Sequence, residues 1–471
     1  RVAFVKIIAS AISIGSGGSV GREGPIVQIG SSIGSSVGQL FRIGAFERKT
    51  LVGCGAAAGI AATFNAPIAG VLFALEVLLG DFGLAALTPV VLASVVATTI
   101  SHFHLGDFPA FEIPQYQVVS SIEYLIYPVL GIVTGLVALG FVNLLYKTED
   151  LFDDHLKIPE YIKPMVGGLI MGGIILSFPE ASGVGYGAMN MVLTNGMAWQ
   201  LVLGLMFVKM IATSITVGSG GSGGVFAPSL FIGAMTGGIF GYAVAQLLPG
   251  MTASPGAYAL VAMGAMVAGT THAPITAILI IFEMSNDYKI ILPLMLSCIV
   301  STVLTTSMKR GSIYTIKLLR RGVDLNEGIE QNVLKNLKVS SYMAGQAPTI
   351  HENASIGEIT KAFMGNDRPY LYVVDEEGRL RGVIGFGGIR KILEREDAIE
   401  LTTAINLSSK EFGSVSPNDS LHHALEVMHE FGSSQIAVTS DENPRLLLGK
   451  VREHDILVAY QNALQRREIV N

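Results

Sequence analysis

The charged side chains of this chain are distributed very unevenly, and this restricts the fold more than any other feature. Residues 1–308 contain 26 of the 68 Asp, Glu, Lys and Arg, about 8% of that segment, whereas residues 309–471 contain the other 42, about 26%. No charged residue lies between Lys209 and Glu283. A soluble helix needs polar residues on its outer face, and a membrane helix needs about 20 apolar residues. The sequence therefore predicts a polytopic membrane domain followed by a soluble tail.

The composition excludes several other classes of protein. Hydrophobic residues make up 50% of the 471 residues, which is incompatible with a disordered, collagen-like or coiled-coil chain. The net charge of −6 argues against a nucleic-acid partner. Two cysteines cannot form a disulfide framework, and the apolar segments around Cys54 and Cys298 predict buried packing residues.

The membrane part contains an internal repeat. Residues 15–34 match residues 218–237 at ten of twenty positions without a gap, and residues 65–77 match residues 272–284 in the same order. Hydrophobic segments interrupted by glycine at corresponding places in two halves indicate a transporter binding site. Close packing of helices is the alternative explanation of the glycines.

Each glycine-rich block leads into an apolar helix, which we expect to begin at Pro25 and at Pro228. Free backbone amides and the helix dipole at such a start favour an anion. A phosphate loop is excluded, because no Gly-Lys-Ser/Thr and no βαβ pattern follows. The sequence thus predicts two anion-binding helix starts, one in each repeat.

A single carboxylate, Glu23, stands at the first of these helix starts. An ionisable residue inside a membrane segment is by default a candidate functional residue. A tethered carboxylate can occupy the amides in place of an anion, and protonation would release it. The alternative is a glutamate that only caps the helix. The aligned residue of the second repeat is Phe226, which cannot titrate.

Three segments carry a family resemblance: Gly21-Arg22-Glu23-Gly24-Pro25, Gly224-Val225-Phe226-Ala227-Pro228 and Phe64-Asn65-Ala66-Pro67. They resemble signature segments of the CLC family of chloride channels and chloride/proton exchangers, over about Val2 to Leu319. The resemblance implies an all-α fold of short tilted helices in inverted repeats, a homodimer with one pore in each subunit, and no enzymatic activity. It also implies a Gly-Ser-Gly-Ile-Pro segment, so we expect further helices to precede Arg1 in the complete protein.

The resemblance assigns roles to five residues of the membrane part. It makes Glu23 the gate, and it places chloride against Gly24, the backbone amides of Val225 and Phe226, and the hydroxyl of Tyr314. Read without the resemblance, a tyrosine at a membrane boundary is more typical of the interfacial aromatic belt.

The resemblance also bears on proton coupling. Family exchangers usually carry an inner glutamate at the position of Val77, and valine cannot carry a proton. We therefore predict channel-like chloride transport, with a chloride/proton antiporter as the alternative. For the neighbouring Glu76 and its repeat partner Glu283 we favour structural pairing or capping at a helix end. A fluoride-selective relative fits less well, and an intramembrane enzyme lacks paired carboxylates, spaced histidines or a nucleophile elbow.

The soluble tail resembles a tandem pair of CBS domains. Its two units each show a helix followed by a β-rich run, and Ser355 with Glu358 has the spacing of a capping box. The predicted helices are 355–364 and 420–431, and the predicted β-rich runs are 370–374 and 435–438. The predicted boundaries are 1–321 for the membrane domain, 322–337 for a linker, 338–395 for CBS domain 1 and 405–465 for CBS domain 2. Basic residues directly after the last apolar run place this tail on the cytoplasmic side.

Some CBS pairs bind adenine nucleotides through an aspartate on the last helix. Asp455 fits that position in the second unit, whereas the first unit has Gly388, so we expect at most one site for ATP, ADP or AMP. A pair that only packs and dimerises is the alternative. No cofactor is required and no metal site is predicted, because His422, His423 and His429 are more typical of a solvated helix face.

Overall fold

The computed structural model describes residues 1–106, 116, 119–156, 158–320, 334–335, 337–345, 347–364, 370–385 and 403–470. The chain divides into two compact units, Arg1–Ile316 and Lys317–Asn471. Most of the predicted linker 322–337 and the whole of Gly388 lie outside the described residues.

The regular elements described in the first unit are helices. They are α1 (Val2–Gly15), α2 (Glu23–Leu40), α3 (Ala45–Phe64), α4 (Pro67–Phe73), α5 (Leu84–Leu105), α6 (Glu123–Asp150), α7 (Lys163–Ser177), α8 (Tyr186–Leu193), α9 (Trp199–Gly218), α10 (Phe226–Leu247), α11 (Pro255–Thr271), α12 (Pro274–Ser285) and α13 (Ile291–Met308), with α14 (Ile316–Arg320) at the unit boundary. Two helices continue as π-helical turns, α4 over Ala74–Leu79 and α6 over Leu151–His155. Short 3-10 turns cover Pro179–Ala181 and Tyr288–Ile290.

In the described part of the chain, five helical stretches are long and apolar enough to cross a membrane. They are Leu84–Leu105, Glu123–His155, Trp199–Gly218, Phe226–Leu247 and Tyr288–Met308. Helix α11 lies at the centre of the unit, since every residue from Gly256 to Thr271 is buried. A helix that is apolar on all sides is expected in the interior of a protein or within a membrane.

The second pair of matched blocks folds in the same way in both halves. Helices α3 and α11 end at Asn65 and His272, which both adopt the left-handed conformation, with φ 56° and 57°. An alanine follows each, and proline then begins α4 and α12. Asparagine tolerates this conformation well, and both helices end where proline prevents their continuation.

In its described residues, the second unit contains two three-stranded sheets. Its elements are β1 (Thr349–His351), α15 (Ile356–Met364), β2 (Tyr370–Val374), β3 (Leu380–Gly385), α16 (Ala404–Leu407), β4 (Ser414–Val415), α17 (Leu421–Glu430), β5 (Gln435–Thr439), β6 (Leu447–Arg452) and α18 (Glu453–Val470), preceded by a 3-10 turn at Val339–Ser341. The sheets have the orders β1-β2-β3 and β4-β5-β6, each with a parallel and then an antiparallel pair. The architecture is therefore an all-α membrane unit followed by a duplicated α/β unit, as predicted.

The local predictions for the second unit agree closely with the structure. The two helices begin one residue after Ser355 and Ser420, and the capping box is formed, with Ser355 N donating to Glu358 Oε2 at 2.8 Å. His423 and His429 are exposed, as expected for a solvated helix face, whereas His422 is only partly exposed and lies beside Glu426.

The prediction for the two cysteines is correct for Cys298 and only partly correct for Cys54. Cys298 is fully buried in the main core of the first unit. Cys54 is half-buried at the margin of a smaller cluster formed mainly by α3, α4 and α5. Position 54 lies on the side of α3 that is only partly covered, which apolar sequence alone does not reveal.

Candidate anion-binding site

The two glycine-rich segments meet backbone to backbone. Gly21 N donates to Gly224 O at 2.8 Å, and Gly224 N donates to Gly21 O at 2.7 Å, which forms a short antiparallel bridge. A side chain would prevent this approach, because a Cβ on Gly24 would lie 2.8 Å from Gly224 Cα. The bridge brings the N-termini of α2 and α10 together.

Both helices begin two residues earlier than the prolines suggested, at Glu23 and Phe226. Pro25 and Pro228 are the third residues of their helices, where a helix has no use for the missing N–H. The residue before each helix, Arg22 or Val225, contributes no side-chain cap, and both starts are buried, with Glu23 at 1% and Phe226 at 2% exposure. Backbone amides at a buried helix start suit an anion.

The carboxylate of Glu23 lies at the start of the opposite helix. Its Oε1 accepts a hydrogen bond from the hydroxyl of Tyr186 at 3.1 Å. The Ala227 amide of α10 also interacts with this carboxylate, and no described group donates a hydrogen bond to its Oε2. A buried carboxylate oxygen without a complete set of donors is costly. The Glu23 carboxylate therefore lies against the start of α10, at backbone amides that could bind an anion.

The structure brings the other predicted residues to the same place. Phe226 packs on Phe64 from the third motif, with ring centroids 5.4 Å apart. Tyr314 packs against the main core and lies within electrostatic range of Glu23. The residue before it, Ile313, is fixed by Thr270 O and by the hydroxyl of Tyr146, at 2.8 and 2.9 Å. Tyr314 is thus held against the protein interior rather than in an interfacial belt.

Two residues of this site were not identified from the sequence. Lys209 is fully buried, and its Nζ donates to the carbonyls of Ala181 and Gly183 at 3.0 and 2.7 Å. A charge within a long apolar run was the signal that could have identified it. Tyr186 gave no such signal, because nothing in its local sequence distinguishes it from other tyrosines.

Val77, at the position where family exchangers usually carry a glutamate, is partly buried and packs against the main core. Glu76 caps α12, since its Oε2 accepts from the amide of Thr276 at 2.8 Å and its Oε1 from the amide of Ile275 at 3.2 Å. The prediction of a capping role for Glu76 is confirmed.

In the second unit, Asp455 lies in the first turn of α18. Its carboxylate binds Arg452 in a bidentate pair, with Nε at 2.9 Å and the second guanidinium nitrogen at 2.8 Å. The hydrogen-bonded guanidinium holds the pKa of Asp455 below its usual range. The aspartate is therefore ionised and already oriented by an arginine.

Comparisons with known proteins identify the family of each unit. The family described as Voltage gated chloride channel matches residues 1–306, and the CBS domain matches residues 339–395 and 404–462. A ClcB-like chloride channel protein of Ralstonia nicotianae is 38% identical over 328 residues, which cover 69% of this chain and 76% of that protein. Chloride channel protein CLC-f of Arabidopsis thaliana is 29% identical over 99% of this chain and 69% of its own length.

A solved structure supports the same assignment. The crystal structure of a slow cyanobacterial Cl-/H+ antiporter is 30% identical, with a TM-score of 0.63, over 69% of this chain and 77% of that one. Proteins of this family are membrane channels and transporters rather than enzymes, and the two bacterial relatives are a chloride channel protein and a Cl-/H+ antiporter. The chain belongs to the CLC family of chloride channels and transporters, and it carries a pair of CBS domains after its membrane unit.

Proposed function

We propose that this chain moves chloride passively through a pathway gated by Glu23. The observation that carries the proposal is the buried Glu23 carboxylate, which lies against the start of α10. In its charged form the carboxylate occupies the amide pocket and excludes chloride. A proton from the solvent removes that charge, and the neutral side chain leaves the pocket.

Chloride then takes the place of the carboxylate. The amides at the start of α10, from Val225 and Phe226, supply donors on one side, and the first turn of α2 at Gly24 supplies the other. We assign the hydroxyl of Tyr314, which lies within electrostatic range of Glu23, as a further donor to the same chloride. All of these donors are neutral, so they hold an anion without trapping it, which conduction requires.

The inner side of the pathway supports channel-like rather than proton-coupled transport. Val77 cannot carry a proton, and the neighbouring Glu76 is engaged in capping α12. A chloride/proton antiporter is the second candidate, because the cyanobacterial antiporter resembles this chain at 30% identity.

Chloride and proton fluxes recorded together from liposomes separate the two candidates. We expect a chloride gradient to drive chloride efflux without uphill proton movement. Proton movement against its own gradient, in fixed proportion to chloride, would establish the antiporter instead.

The gate has its own test. We expect Glu23→Gln to make chloride flux independent of pH, because glutamine cannot ionise. Glu160→Gln, at an exposed position, is the matched control and should retain the pH dependence of the native chain. Chloride flux that still depends on pH in Glu23→Gln would exclude Glu23 as the gate.

We infer further that the chain works as a homodimer with its CBS pair in the cytoplasm. Basic residues follow α13 directly, at Lys309 and Arg310, and positive flanks favour the cytoplasmic side.

The ionised Asp455 is suited to accept hydrogen bonds from a ribose, and we propose it as the nucleotide contact. A rise in melting temperature with ATP or AMP that is lost in Asp455→Asn supports this role, and an equal rise in both chains contradicts it.

A further inference from the structure

Tyr186 joins helix α8 to the gate. It is the first residue of α8, and its hydroxyl donates to Glu23 Oε1 at 3.1 Å. The bond connects residues 163 positions apart, so α8 must be held firmly for the hydroxyl to reach the carboxylate. Contacts of the preceding turn fix the start of α8.

The turn that precedes α8 is held by two contacts. Gly183 and Gly185 have φ values of 53° and 85°, a conformation that glycine adopts most readily. The buried Nζ of Lys209 binds the carbonyl of Gly183 at 2.7 Å. In addition, a Cβ on Gly185 would lie 2.6 Å from the ring of Phe231 on α10, so the backbone packs directly on that ring.

Burial of Lys209 beside this turn has a free-energy cost. Burial of an ammonium group is unfavourable unless hydrogen bonds and nearby charge compensate it. Here two carbonyls bind it, and the ring of Phe231 lies 4.9 Å from its nitrogen. A charge retained inside a membrane segment is expected to serve function.

The groups that face Glu23 come from several elements. On its own helix start, the guanidinium of Arg22 lies 5.8 Å from the ring centroid of Tyr186. Helix α9 contributes the charge of Lys209, the segment before α14 contributes Tyr314, and α10 contributes a backbone amide. The guanidinium of Arg22 favours a charged, seated carboxylate.

We propose that Tyr186 is a positioning residue that holds the Glu23 gate closed, and that Lys209 fixes the turn that aims its hydroxyl. The proposal rests on the assignment of Glu23 as the gate. A hydrogen bond to a carboxylate is stronger than one to the neutral acid. The Tyr186 hydroxyl therefore stabilises the charged, closed state more than the protonated, open one.

Removal of this hydroxyl should open the pathway at higher pH. In Tyr186→Phe, we expect the midpoint of chloride flux against pH to rise by about one unit, because a hydrogen bond to a charged group is lost. The flux at neutral pH should rise with it. Tyr258→Phe removes another buried hydroxyl, which lies among different partners, and it should leave the midpoint unchanged.

A double variant separates this proposal from the assignment of the gate. We expect Tyr186→Phe to have no effect on the pH profile in the Glu23→Gln background, where flux no longer depends on pH. If Glu23→Gln is independent of pH while Tyr186→Phe alone keeps the native midpoint, the positioning role is wrong and the gate stands. If Glu23→Gln keeps its pH dependence, the gate itself is wrong.

The part played by Lys209 has a separate readout. Hydrogen–deuterium exchange of the amides from Ser182 to Tyr186, measured on the whole chain in detergent, should accelerate in Lys209→Met. Tyr186→Phe should leave that exchange unchanged, because the turn keeps its anchor. Native exchange in Lys209→Met would show that Lys209 does not fix the turn.

Discussion

Glu76 caps the helix that carries Glu283, and Glu283 caps the helix whose continuation carries Glu76. Glu76 Oε2 accepts from the amide of Thr276 at 2.8 Å, at the start of α12, and Glu283 stands near the end of α12. Glu283 Oε2 accepts from the amide of Ala69 at 2.7 Å, at the start of α4, whose continuation carries Glu76. The two residues occupy equivalent positions in the two repeats, so one motif supplies both halves of a reciprocal clamp.

This clamp predicts a stability cost without a change in gating. Glu76→Gln and Glu283→Gln should each destabilise the membrane unit by about 1 kcal/mol or more, because the amides of α12 or α4 lose a charged acceptor. Thermal unfolding in detergent measures this, with Glu160→Gln as the exposed control. The pH dependence of chloride flux should survive in Glu76→Gln. Loss of this pH dependence in Glu76→Gln would indicate that Glu76 transfers protons instead of only capping α12.

The bridge between the two glycine-rich segments predicts which glycines are replaceable. A Cβ on Gly24 would lie 2.8 Å from Gly224 Cα, a backbone atom that cannot move aside without opening the bridge. Gly24→Ala should therefore abolish chloride flux or folding. Gly15→Ala is the matched control in the same segment, because no atom lies within 4 Å of a Cβ there. Normal flux in Gly24→Ala would mean that the bridge is not needed.

Much of this arrangement was predictable because it repeats in sequence. The matched blocks identified both helix starts, and the lone carboxylate in an apolar segment identified Glu23. The start of each helix was misplaced by two residues, because proline also fits the third helical position. Tyr186 could not be predicted, since its contact with Glu23 depends on the packing of α8 and on a turn fixed by Lys209. Such contacts between distant segments leave no local pattern.

The capping box of the soluble unit predicts a local loss of protection. Ser355 N donates to Glu358 Oε2 at 2.8 Å, and the hydrogen-bonded serine holds the pKa of Glu358 below its usual range. In Ser355→Ala, the first-turn amides of α15 should exchange about five-fold faster, which corresponds to about 1 kcal/mol for a lost cap. Ser340→Ala, at an exposed position outside the helix, should exchange as the native chain does. Equal protection in both variants would contradict a stabilising cap.

Asp375 predicts how the soluble unit responds to acid. It lies in the turn between β2 and β3 and is 8% exposed, and its Oδ1 accepts from the amides of Arg379 and Glu377 at 2.8 and 3.1 Å. The bond from the Arg379 amide, with smaller contributions from Glu377 and from the charges of Arg381 and Arg379, lowers the pKa of Asp375.

Because the folded pKa is below the unfolded value of about 3.9, Asp375 stabilises the fold at neutral pH. That contribution is lost as the pH falls below about 4 and through the folded pKa. Asp375→Asn should lower the melting temperature of the whole chain at pH 7, and the difference from the native chain should shrink toward pH 3. Glu376→Gln, at the exposed neighbouring position, should match the native chain at both values. A difference that stays constant between pH 7 and pH 3 would show that the carboxylate charge of Asp375 does not stabilise the turn.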